Sequence, residues 1–166
     1  GCPRNIFNDD LLEKGKDLLW IHNPGAGIEH FLSEKFINSD IIFTNGKKIQ
    51  GPECADHAMA LLLSLTRNIK LSIKGLENNL MPRPVELLGK KALVVGLGGI
   101  GMCLAERLKS FGVEVIGIDN ENKAMLSFLK RAYDPSKLIE IVSEMDIVFC
   151  CAPLTYLTNK MFNKDV

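Results

Sequence analysis

The sequence predicts an α/β fold built on parallel strands, and three observations lead there. Short apolar runs bounded by Gly, Pro, Asn or Asp recur along the chain and alternate with stretches whose apolar residues fall at helical spacing. One such run, residues 91–96, passes through a glycine-rich turn into a helical stretch and then into a second run at 113–118, which is the pattern of a strand–helix–strand unit with parallel strands. The length of 166 residues, with 46% hydrophobic and 24% charged residues, suits one ordinary domain or two small ones with a true core.

Taken in order, residues 18–22 read as a short buried strand closed by the turn at 23–27, and residues 41–44 as another closed by Asn45 and Gly46, with a short helix over 28–36 between them. Pro52 at a first helical position, Glu53 and Asp56 in the first turn, and Arg67 and Lys70 near the end place a helix over 52–70. Its centre is apolar on every face, which suits a helix between two layers where domains meet, and His57 within it is expected to be a hydrogen-bonded core histidine. Pro82 and Pro84 mark a linker, so a first domain is expected over 1–75 and a second over 76–166. In the second, residues 91–96 form a strand, Ile100, Cys103, Leu104, Leu108 and Phe111 share one helix face, and 113–118 form the next strand. Asp134, Pro135 and Ser136 open another helix, with Leu138, Ile139, Val142 and Met145 inward, and 146–152 give a third strand ending at Pro153.

Charge excludes one class of partner. Lys plus Arg equals Asp plus Glu at 20 each, split 9 against 9 through Gly75 and 11 against 11 beyond, so neither half carries the basic surplus that nucleic acid requires. The longest unbroken apolar run, residues 58–63, is far short of the roughly 20 residues that span a bilayer, and no membrane partner is expected. Gly1 to Arg4 lack an initiator Met and any signal pattern, so the chain is expected to begin inside a larger protein. Cysteines at 2, 54, 103, 150 and 151 have neither metal-ligand nor disulfide spacing; they read as reduced thiols of a cytoplasmic protein, with no metal site.

The chemistry-bearing motif lies in the strand–helix–strand unit. Gly96, Gly98 and Gly101 fit G-x-G-x-x-G with Gly99 and Ile100 between, and Asp119 stands 18 residues after Gly101 at the end of the next strand. Gly96 permits the tight turn, Gly98 a close approach of backbone to a pyrophosphate, and Gly101 the packing of helix on strand, while the helix start supplies free N–H groups. Asp119 is placed to accept ribose hydroxyls. A carboxylate there repels a 2′-phosphate, and Asn120, Glu121 and Asn122 offer no cation to receive one, so NAD is favoured over NADP. FAD and S-adenosyl ligands use similar turns, and the fingerprint alone leaves the reaction open.

Four segments together resemble the D-isomer-specific 2-hydroxyacid dehydrogenases, a family that includes phosphoglycerate and hydroxypyruvate-reducing members. They are residues 19–31 with Gly25, Ala26 and Gly27; 44–69 with Gly51, Pro52, Ala55 and His57; 88–119; and 146–158 with Pro153 and Thr158. The resemblance implies the end of a flavodoxin-like substrate domain followed by the first half of a Rossmann doubly wound parallel sheet, with both ends of the family's chain missing. It implies an NAD-dependent transfer of hydride between nicotinamide and a small D-2-hydroxy or 2-oxo acid, by a homodimer. Ala26 and Gly27 would meet the substrate carboxylate, Gly99 and Ile100 the pyrophosphate, Asp119 the adenosine ribose, and Ala152, Pro153 and Thr158 the far wall of the nucleotide cleft. The family's catalytic Arg, acidic residue and His would follow Val166, so no catalytic residue is expected among these 166, and this chain alone is expected to be inactive.

Lys48 stands where members often have Gly, Asp56 where Glu is usual, and Cys151 where many have His. Two other readings stay open at this stage. One is a non-catalytic dinucleotide-binding module or sensor, as the family's corepressor relatives suggest. The other is a protein like S-adenosylhomocysteine hydrolase, which leaves Gly51, Pro52 and His57 unexplained.

Overall fold

The computed structural model describes residues 7–121 and 126–164. Gly1 to Arg4 with Cys2, Asn122 and Val166 lie outside the described residues. Two compact units result: one holds the described residues up to Gln50 together with Pro153–Lys160, the other Gly51–Ala152 with the residues from Met161.

The first unit opens with helix α1 (Asp9–Lys14), which the sequence reading did not include. Asn8 caps it by accepting the Leu11 N–H at 2.9 Å, and Asp9 and Asp10 occupy the turn where negative charge suits the helix dipole. Strands β1 (Trp20–Asn23) and β2 (Ile42–Asn45) pair in parallel, with Trp20 opposite Ile42 and Asn23 opposite Asn45. The single helix expected over 28–36 is two pieces, a 3₁₀ turn at Glu29–Phe31 and α2 (Glu34–Ile37), because the Ser33 hydroxyl accepts the Phe36 N–H and starts a new helix. The core is aromatic. Phe7, Phe31, Phe36 and Phe43 stack at tilted or edge-on angles with centroids 4.8 to 5.4 Å apart, over buried Ile21.

In the second unit the helix expected over 52–70 runs as α3 (Gly51–Thr66) and stops where Asn68 adopts φ 55°, a left-handed conformation that Asn tolerates; α4 (Ile69–Ile73) follows. Gly51, Ala55, Met59 and Leu62 make a single buried face at helical spacing, while Leu65 is 78% exposed. Within its unit α3 is covered along this one face, and the expectation of a core His57 is corrected: His57 is exposed, with no described side-chain hydrogen bond. Residues 76–90 cross back along this helix, fixed by the Val85 N–H donating to the Thr66 carbonyl at 2.9 Å and the Asn68 amide donating to Pro82 at 2.6 Å.

Strands β3 (Lys91–Val95), β4 (Glu114–Ile118), β5 (Arg131–Tyr133) and β6 (Ile147–Cys150) form one parallel sheet in the order β5-β4-β3-β6. Helix α5 (Gly99–Ser110) joins β3 to β4, and α6 (Leu138–Val142), entered through a 3₁₀ turn at Pro135–Lys137, precedes β6. Leu104, Ala105 and Leu108 of α5 pack with α3 on one face of the sheet, around Ala92, Val94 and Val115; Leu138 and Ile141 of α6 pack on the other, around Leu93, Val95 and Ile118. Such two-sided cover is what makes parallel strands continuous apolar runs. The compact units divide between Gln50 and Gly51, where α3 begins and finds its packing partner in α5. β3 has β4 on one side and β6 on the other, so the strand order reverses at its carboxyl end, the place where open α/β sheets hold ligands.

Candidate dinucleotide site

Three chain segments leave the sheet at that end: the glycine turn after β3, Asp119 after β4, and Ala152 after β6. Gly96 turns the chain at φ +90°, and a Cβ there would stand 2.6 Å from the Ala152 backbone nitrogen, so both conformation and crowding demand glycine. Gly101 is demanded by contact alone, because a Cβ would lie 1.9 Å from the Gly96 carbonyl oxygen and α5 could not sit on β3. Gly98 differs. A Cβ built on it meets no atom within 4 Å, so the backbone at the start of α5 borders open space.

Gly98 caps α5 without a side-chain hydrogen bond, and among the described residues the N–H groups of Gly98, Gly99, Ile100 and Gly101 meet no acceptor. Four unpaired donors at the start of a twelve-residue helix, with open space beside Gly98, form a cradle for an anion, and a dinucleotide pyrophosphate fits that donor set. Asp119 is half-buried beside the turn; its Oδ2 accepts the Leu97 N–H at 2.6 Å and its Oδ1 the Glu121 N–H at 2.9 Å. An ionised carboxylate accepts about four hydrogen bonds, so two positions remain for hydroxyl donors.

Ala152 is half-buried, its backbone against Gly96. Thr158 donates its hydroxyl to the Pro153 carbonyl at 2.6 Å and accepts the Thr155 N–H at 2.8 Å, so its polar capacity goes into closing the turn that follows Pro153. In the first unit, buried Asn23 donates to the Gly27 carbonyl at 2.7 Å and accepts the Gly25 N–H at 3.1 Å, while the Asn45 amide donates to Ala26 at 2.8 Å. These bonds hold the loop by the carbonyls of Ala26 and Gly27 and the N–H of Gly25. The N–H groups of Ala26 and Gly27 have no acceptor among the described residues.

Burial, and secondarily Cys150 and Cys54, push the Cys151 thiol up to about 11, so it stays protonated and unreactive at neutral pH. No group of His, Cys, Asp or Glu among the described residues is arranged to hold a metal ion. The sequence reading missed Leu97, which is fully buried, and Gly117, against which Leu97 packs; a glycine inside the apolar run 113–118 was the available signal.

The sequence profile of the D-isomer specific 2-hydroxyacid dehydrogenases, NAD binding domain, matches residues 59–166, and the chain belongs to that family. It is 28% identical over 171 residues to a hydroxypyruvate reductase of Thermotoga maritima, covering 94% of this chain and 51% of that protein. A solved D-isomer specific 2-hydroxyacid dehydrogenase family protein of Aeromonas salmonicida superposes with a TM-score of 0.78 at 26% identity, over 93% of this chain and 50% of that one. The same fold appears, at 22% identity and a TM-score of 0.74 over 91% of this chain and 48% of that one, in an NADPH-dependent glyoxylate/hydroxypyruvate reductase of Sinorhizobium meliloti solved with NADP and sulfate. The chain thus spans about half the length, or less, of the curated relatives it matches. Its second unit is the front half of a Rossmann sheet, and the family defines the ligand as a nicotinamide dinucleotide.

Proposed function

We propose that this chain supplies the dinucleotide-binding part of an NAD-dependent D-2-hydroxyacid dehydrogenase. The carrying observation is the set of four unpaired N–H groups at the start of α5, open to space beside Gly98, with the Asp119 carboxylate fixed beside it. Bound there, the nicotinamide cofactor would supply a hydride acceptor or donor for a small 2-hydroxy or 2-oxo acid. The residues of this chain bind and orient: Gly98, Gly99, Ile100 and Gly101 take the pyrophosphate, Asp119 the adenosine ribose, and Ala152 and Pro153 wall the nucleotide, with Thr158 shaping the turn. The free amides of Ala26 and Gly27 are assigned to the substrate carboxylate. Proton transfer is assigned to no residue of this chain, and the chain alone is assigned no turnover.

NAD is assigned over NADP because a carboxylate faces the 2′ position and its described neighbours Asn120 and Glu121 bring no cation. A homodimer is assigned from the exposed stripe of Leu61, Leu65, Ile69 and Ile73 along α3 and α4. Free thiols at Cys54, Cys103, Cys150 and Cys151 suit a reducing compartment, the basis for placing the protein in the cytoplasm.

Titration calorimetry of the intact protein tests the site. Asp119→Ala should weaken NAD binding by roughly 1.5 to 3 kcal/mol, the worth of hydrogen bonds to a charged group. Equal affinity of wild type and variant would remove the ribose assignment.

A further inference from the structure

Gly117 lies inside β4 with no positive φ, at neither a turn nor a cap, where glycine weakens a strand and marks the close approach of another group. The approaching group is Leu97, the residue between the first two glycines of the fingerprint. A Cβ at 117 would stand 2.6 Å from Leu97 Cδ1 and 3.0 Å from Cδ2, and Leu97 is completely buried. The backbone ties the same loop to the same strand twice more. The Gly96 N–H donates to the Ile118 carbonyl at 2.7 Å, and the Leu97 N–H donates to Asp119 Oδ2 at 2.6 Å. Residues 117, 118 and 119 therefore fix residues 96 and 97 in succession, and the position of residue 97 sets where the free amides of Gly98, Gly99, Ile100 and Gly101 point.

Resting on the dinucleotide reading above, we infer that Gly117 is a positioning residue for the cofactor: its missing side chain is the seat in which Leu97 locks the glycine loop. The threatened contacts are with the mobile end of a leucine rather than with backbone, so Ala at 117 displaces Leu97 and turns the loop while the fold survives. A donor array that must reorganise before it binds gives up affinity to that reorganisation.

The test is NAD titration calorimetry and thermal unfolding without nucleotide, on the intact protein and three variants. Gly117→Ala should fold with a lowered melting temperature, from the overpacking beside buried Leu97, and weaken NAD binding about tenfold, and Leu97→Val alone should weaken it about threefold. The double variant, in which the shorter side chain makes room for the added methyl, should recover to within about threefold of wild type, a coupling that independent losses would not show. NAD affinity of Gly117→Ala equal to wild type overturns the inference, as does a double variant no tighter than Gly117→Ala. If Gly117→Ala does not fold, unchanged affinity in Leu97→Val overturns it. Absence of NAD binding by the wild type is a different failure: it removes the dinucleotide reading itself.

Discussion

Lys48 holds φ +76°, in the left-handed region where a side chain costs about 1 kcal/mol relative to glycine. Lys48→Gly should raise unfolding free energy by roughly 0.5 to 1 kcal/mol, less than the full strain because glycine also loosens the unfolded chain. Urea titration checks it through the midpoint at unchanged slope; a lower midpoint would mean that the lysine makes a compensating contact. Asp119 shows how far single residues are legible. Its place at the end of a strand follows from spacing, whereas its bond to the Leu97 N–H depends on a side-chain rotamer that no spacing encodes. His57 shows the opposite case. An apolar neighbourhood in sequence implied burial, but on a helix the neighbours in space are three and four residues away, and the buried face runs through Ala55, Met59 and Leu62.

Among the elements, the β3–α5 junction is tight, and its glycines divide into two kinds. Gly101→Ala should destabilise by at least about 2 kcal/mol, since the obstacle is the rigid Gly96 carbonyl, whereas Gly98→Ala should leave folding nearly unchanged. Melting temperatures of the two variants decide this, and equal values would show that α5 slides along β3 without cost. Strands β3 and β4 were readable because parallel strands buried on both faces are written as apolar runs, and β1, β2 and β6, each with an exposed face, because their short apolar runs end at turn residues. Strand β5 was not. It is only Arg131–Tyr133, its Arg131 guanidinium lies 5.0 Å from the Tyr133 ring, and what makes it a strand is pairing with β4, which lies in the tertiary structure. The broken helix at 29–37 was hidden for a related reason. Ser33 could have been an interior residue, and only its hydroxyl bond to Phe36 makes it a start.

At the scale of the whole molecule, the dimer proposal rests on the apolar side chains of α3 and α4, of which Leu65 and Ile73 are 78% and 81% exposed. Leu65→Glu with Ile73→Glu should convert a dimer of the intact protein into a monomer, read by light scattering, with NAD affinity within about threefold of wild type. A monomeric wild type, or a variant that remains dimeric, would sink the assignment. The sequence holds a single tryptophan, Trp20, which sits on β1 in the first unit, 61% exposed, with its indole N–H on the Thr44 hydroxyl at 2.9 Å. Trp emission is therefore a built-in optical label for that unit alone, since the unit carrying the glycine fingerprint contains no indole. In a melt followed by emission and by far-ultraviolet dichroism together, coincident curves mean that the two units lose structure as one cooperative body, and separated curves give each unit its own transition.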